Sequence, residues 1–116
     1  ITATEASVAR AGLAGNNILN LFEMLITEIQ TGMNKDGPGI FLHAAQVMGV
    51  QPGACLVFED SFYAARSARA AGMRVCLVGA KEDQAKNADY YVNNLKDLCE
   101  SAIIISGQKF RKNEKI

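Results

Sequence analysis

Cys55-Leu56-Val57-Phe58-Glu59-Asp60-Ser61 decides the architecture of this chain. Cys55 to Phe58 are apolar without alternation, which is the pattern of a short parallel strand buried on both faces. The run stops at two carboxylates and a hydroxyl. Phe62 to Ala71 follows, rich in alanine and closed by Gly72, and reads as a helix. Arg74 to Val78 then repeats the strand pattern. Strand, polar turn, helix and strand in this order predict a parallel βαβ unit.

Working outward, Asp89 to Val92 reads as a weaker strand and Asn94 to Ser101 as a last helix, joined to the centre by the polar connector Lys81 to Asn87. Ile103-Ile104-Ile105 is short and apolar, suited to one more edge strand. Lys109, Arg111, Lys112 and Lys115 against Glu114 make the final stretch a basic, solvated tail. Upstream, Ile40, Ala44, Val47 and Met48 fall on one stripe of a helix, with Pro38 near its first turn and Gly49 at its cap. Thr31 to Gly39 is punctuated by glycine and proline and reads as a loop. The short apolar run Phe22 to Ile29 fits strand or helix, and a strand over Met24 to Thr27 is preferred. Thr2 to Thr4 ends a first strand, and Glu5 to Leu13 is a helix with Val8 and Ala11 on one face. The expectation is an α/β fold: a Rossmann-like parallel sheet flanked by helices. It places a core over 1–101 and an extension with the basic tail over 102–116.

The 116 residues suffice for one domain, and 49% are hydrophobic against 21% charged, an ordinary globular balance. Lys plus Arg and Asp plus Glu both count 12, so the formal charge is zero. That argues against nucleic acid or a membrane surface as the main partner, since both reward an excess of positive charge. No apolar run approaches the ~18 residues of a membrane span. Cys55, Cys76 and Cys99 are odd in number and lack the close pairing of a zinc site, which suits reduced thiols in a cytoplasmic protein. His43 sits on a helical stretch and reads as a boundary residue.

Chemistry concentrates where β-strand becomes helix. In open α/β sheets, ligands gather beyond the carboxyl ends of the strands. Glu59 and Asp60 there form a hard-oxygen pair suited to Mg²⁺; the competing reading is that Asp60 or Ser61 only caps the next helix. Thr4, at a strand end before a helix, is placed to hold a phosphate oxygen. Lys35, in the glycine-containing loop before the next helix, is placed to reach a phosphate or a carboxylate as a point charge. Each has a bland reading on its own, as a helix cap or an exposed lysine.

Taken in order, these residues resemble the haloacid dehalogenase superfamily of phosphatases and phosphomutases. The likeness runs through Lys35-Asp36-Gly37-Pro38-Gly39-Ile40-Phe41-Leu42, Ala44-Ala45, Gly49-Val50 and Cys55 to Met73, and continues in Ala88-Asp89-Tyr90-Tyr91-Val92, Leu95 and Leu98. The resemblance implies that Thr4 bonds the transferring phosphoryl group. It implies that Lys35 balances charge on nucleophile and phosphate, and that Glu59 and Asp60 position Mg²⁺. Thr4, its neighbour Glu5 and Lys35 are the expected substrate-contacting set. The implied activity is Mg²⁺-dependent phosphoryl transfer on a small phosphorylated metabolite, with hydrolysis favoured over mutase chemistry.

The chain also departs from the family pattern. No Asp-x-Asp occurs anywhere in it, and the family's nucleophile is the first Asp of that motif. Gly39 stands where the family usually has Asp, and Ala64 where it often has Gly. The sequence therefore reads as the C-terminal part of such an enzyme, starting at the second motif, without nucleophile strand or cap. On that reading the isolated chain is inactive, and the slot between the strands ending at Thr4 and Phe58 leaves open edges that invite self-association. The alternative is a non-catalytic protein that keeps the fold as a binding or assembly module. A dinucleotide-binding domain is disfavoured, because no GxGxxG follows a strand.

Overall fold

The computed structural model describes residues 1–79, 85–86 and 88–96, and the backbone of 114–115. Its centre is a parallel sheet in the order β1 (Leu56–Glu59), β2 (Arg74–Val78), β3 (Tyr90–Val92), β4 (Glu114–Lys115). Leu56 pairs with Arg74 and Glu59 with Leu77, while Cys76 pairs with Tyr90 and Val78 with Val92. The run of apolar residues therefore is a strand, displaced by one residue so that it includes Glu59 and not Cys55. Two residues of the basic tail depart from the solvated expectation: Glu114 and Lys115 lie beside Tyr90 and Tyr91 as β4. The predicted strand over Ile103 to Ile105 lies outside the described residues, as does the last predicted helix beyond Lys96.

α4 (Phe62–Ala70) crosses from β1 to β2 and packs on both strands. It presents Ala64, Ala65, Ser67 and Ala68 to the sheet, and alanine allows the helix to approach closely. Ser61 is its N-cap, with Oγ accepting from the Ala64 N–H at 3.4 Å. Gly72 turns the chain at φ +85°, a left-handed conformation that favours glycine. α3 (Gly39–Met48) supplies Ile40, Phe41, Ala44 and Ala45 to the same layer. The predicted stripe is half right: Ile40 and Ala44 are buried, but Val47 and Met48 are exposed. Phe41 and Ala45 complete the buried face of α3 instead.

One face of the sheet carries Val57, Val75, Leu77 and Tyr91 against α3 and α4, and the other carries Leu56 with Cys76, Tyr90 and Val92. This division follows from the two-residue period of a strand. Asp89 ties the base of β3 to β2 twice. Its N–H donates to the Val75 carbonyl at 2.9 Å, and its Oδ2 accepts from the Val75 N–H at 2.9 Å.

The N-terminal third is built differently. The strand predicted over Met24 to Thr27 is reduced to a single parallel bridge between Thr2 and Thr27, held by Thr2 N–H to Ile26 O at 3.0 Å and Glu28 N–H to Thr2 O at 3.1 Å. α1 (Ala6–Gly15) has no buried residue, and a short turn of helix, α2 (Glu28–Thr31), follows the bridge and ends where the predicted loop begins.

Candidate active site

Glu59 ends β1, and its side chain is buried on the α3–α4 side of the sheet. A carboxylate taken out of water needs a counter-charge. Lys35 supplies it: the Nζ donates to Glu59 Oε2 at 3.1 Å and Oε1 at 3.2 Å. The two residues lie 24 positions apart, so only the tertiary fold brings them together. Asp60 follows at the bend between β1 and α4. It is exposed and has no side-chain partner among the described residues. Ser61, not Asp60, caps α4, which leaves the Asp60 carboxylate uncommitted.

A cleft of about 390 Å³ opens along β1, lined by Cys55 to Glu59, by Phe41, Ala45 and Met73 from the core side, and by Lys35 and Ile1. β1 is the last strand of the sheet on this side. The main chain of Cys55 accepts from Arg74 N–H, so the intervening main-chain groups of Leu56 and Phe58 are directed toward the cleft. Its walls are apolar and its charged end is the Lys35–Glu59 pair.

Thr4 sits elsewhere. It lines a second cleft of about 350 Å³ with Thr2, Ala9, Leu13 and Phe22, and this cleft adjoins the first only at Ile1. Thr4 is exposed, and its N–H donates to Thr2 Oγ1 at 3.0 Å. Glu5 is the N-cap of α1, accepting from the N–H and hydroxyl of Ser7. Those bonds hold its carboxyl below the ordinary carboxylate range. The structure thus brings Lys35 and Glu59 together, leaves Asp60 beside them at the end of β1, and sets Thr4 and Glu5 on the neighbouring α1 segment.

Two residues were not anticipated. Thr2, half-buried, is the residue of the N-terminal segment that is fixed by main-chain bonds on both sides. Glu28 accepts from the Lys35 N–H at 2.8 Å. Nothing in the local pattern around Glu28 signals a bond to a residue seven positions on.

For a metal, the available donors are the hard oxygens of Glu59 and Asp60. No group of three or more His, Cys, Asp or Glu side chains converges among the described residues. Mg²⁺ keeps several waters and commonly takes only one or two carboxylates, with substrate phosphate completing its octahedron. Glu59 and Asp60 offer carboxylate oxygens of the kind such a cation takes, with Glu59 already paired to Lys35. The described residues contain no helix long and apolar enough to cross a membrane.

The comparisons with known proteins agree with the geometry. A haloacid dehalogenase-like hydrolase model matches residues 1–72. Fructose-1-phosphate phosphatase YqaB of Escherichia coli is 40% identical over 72 residues, covering 62% of this chain and 38% of that enzyme. Protein CbbY of Rhodobacter capsulatus is 36% identical over 87 residues, covering 72% of this chain and 38% of its own. Among solved structures, a haloacid dehalogenase-like protein of unknown function from Agrobacterium tumefaciens superposes with a TM-score of 0.74 at 26% identity, covering 90% of this chain and 52% of that one. A phosphatase of the same type from Thermococcus onnurineus gives a TM-score of 0.71 at 28% identity over 88% of this chain and 46% of its own. The chain spans well under half the length of these two curated relatives. With a family model over residues 1–72, a matching fold and the paired Lys35 and Glu59 at the end of β1, the chain belongs to the haloacid dehalogenase-like hydrolases.

Proposed function

We propose that this chain forms the charge-balancing and cation-holding part of a phosphatase acting on a small phosphorylated metabolite. The observation that carries the proposal is the Lys35–Glu59 pair at the carboxyl end of β1, beside an uncommitted Asp60. The phosphatase named among the relatives supports the reaction class. Phosphoryl transfer is limited by the charge on the transferring group, so fixed positive charge does most of the catalytic work. The Lys35 ammonium is held by Glu59 at the mouth of the cleft, where it faces an incoming phosphate or an attacking carboxylate. Glu59 keeps that ammonium oriented. Asp60, with Glu59, would hold Mg²⁺, which supplies further positive charge to phosphate oxygens when bound. The hydroxyls of Thr2 and Thr4 are further candidate donors for a phosphate oxygen from the adjoining cleft, and Glu5 anchors the helix that follows them.

A second reading, a non-catalytic module, rests on one observation: no Asp-x-Asp is present in the 116 residues. Turnover of p-nitrophenyl phosphate with Mg²⁺ separates the two readings. It is measured in the chain alone and in a polypeptide that supplies an Asp-x-Asp strand ahead of Ile1. The proposal expects turnover in the second, lost in Asp60→Asn and Lys35→Met. No turnover in the second, or turnover unchanged by Asp60→Asn, would overturn it.

A further inference from the structure

We propose that Glu28 is the positioning residue of this site: its carboxylate fixes the main chain of Lys35 so that the ammonium meets Glu59. The inference deepens the phosphatase reading and rests on it only for its catalytic consequence. Lys35 is held at both ends by acids from different elements. Glu28 Oε1 accepts from its N–H at 2.8 Å, and Glu59 accepts from its Nζ at 3.1 and 3.2 Å. A lysine side chain has four rotatable bonds and loses much freedom when pinned, so a fixed backbone anchor lowers what remains to be ordered. The loop between Glu28 and Lys35 turns at Gly32, at φ +67°.

Glu28 is itself rigidly placed. Its N–H donates to Thr2 O at 3.1 Å, so it belongs to the bridge between the N-terminal segment and Thr27. Thr27 is fully buried, and its hydroxyl caps α2 by accepting from Gln30 N–H at 3.1 Å. Thr31 Oγ1 donates to Thr27 O at 3.0 Å and accepts from Met33 N–H at 3.2 Å, which draws the returning loop back toward Glu28. Glu28 therefore joins the Thr2–Thr4 segment through its backbone to Lys35 through its side chain. Lys35 passes the connection on to Glu59 and β1. Glu28 thus links the two halves of the site.

The test uses the 116-residue chain and NMR. In the wild type, a scalar coupling across the hydrogen bond is expected between the Lys35 amide nitrogen and the Glu28 side-chain carboxyl carbon; its absence overturns the proposal. Glu28→Ala should speed amide exchange at Lys35 by tenfold or more and shift the Glu59 carboxyl resonance, while Val75 and Leu77 amides stay protected. Glu28→Gln keeps an acceptor oxygen and should retain most of the Lys35 protection. Unchanged Lys35 exchange in a folded Glu28→Ala chain, or equal loss in both variants, would count against the clamp. If Glu28→Ala does not fold, the wild-type coupling and the Glu28→Gln exchange still decide. In the polypeptide that turns over p-nitrophenyl phosphate, Glu28→Ala should lower kcat about tenfold with a smaller change in KM, restored by Glu28→Gln. Loss of all phosphatase activity with the Lys35 coupling intact would refute the phosphatase reading and leave the clamp standing.

Discussion

Lys35 and Glu59 form a half-exposed to buried ion pair whose side chains are 22% and 9% accessible. Removing one charge from such a pair leaves the other short of solvation, which costs more than the pair contributes when intact. Glu59→Gln keeps the shape and one acceptor but leaves the ammonium without a counter-charge. A loss of about 1–3 kcal/mol in urea unfolding is expected, scaled down from fully buried pairs because Lys35 still touches water. Equal stability would show that water replaces Glu59 without cost. Glu5 offers a pH test at the same scale. Its carboxyl is held low by Ser7, so its contribution to capping α1 is complete above the ordinary carboxylate range. That contribution is lost as pH falls through its depressed native value. The Ser7 amide resonance should follow that transition, and Glu5→Ala should abolish it.

At the scale of elements, the turn from β1 into α4 separates capping from chemistry. Ser61 accepts from Ala64 N–H at a long 3.4 Å, so Ser61→Ala should cost only about 0.5–1 kcal/mol, at the low end for an N-cap. Because Asp60 takes no part in the cap, Ser61→Ala should leave Mg²⁺ binding unchanged, whereas Asp60→Asn should weaken it with little effect on stability. Calorimetric titration of Mg²⁺ into both variants checks the distinction. The β2–β3 junction makes a sharper demand. Asp89 accepts from Val75 N–H at 2.9 Å, and Arg69 Nε approaches the same oxygen at 4.0 Å. Asp89→Ala strands a part-buried N–H and removes a charged acceptor, and should cost about 1–3 kcal/mol. Asp89→Asn, which can still accept, should recover part of it.

At the scale of the whole molecule, the two described cysteines report on different depths of the fold. Cys76 is fully buried between β1 and β3, and burial pushes its thiol up to about 11. Cys55 is half-buried and lines the cleft along β1. Alkylation at pH 8 followed by peptide mapping should therefore modify Cys55 in the native protein and Cys76 only after unfolding. Ionisation of Cys76 favours the unfolded chain, so its effect on stability is absent below the ordinary thiol range near 9.0 and grows unfavourable as pH rises above it. If Cys76 reacts as fast as Cys55, the sheet opens far more readily than its buried face implies.

The parallel sheet was legible because β1, α4 and β2 carry strong local signals: an unbroken apolar run, an alanine face and a glycine stop. Glu59 and Asp60 were legible as a hard-oxygen pair at a strand end, and Lys35 as a lysine in a glycine-containing loop. The single bridge at Thr27 was not legible, since a short apolar run specifies burial and not how many residues find a partner. The sequence by itself determined β1, α4, β2 and α3 and the polar side chains at the end of β1, because those follow from periodicity and caps over a few residues. Only the tertiary structure decided that Glu59 is neutralised by Lys35, that Glu28 anchors that lysine, and that Thr4 faces a separate cleft. These depend on distances between segments far apart in the chain, which packing sets and local pattern does not encode.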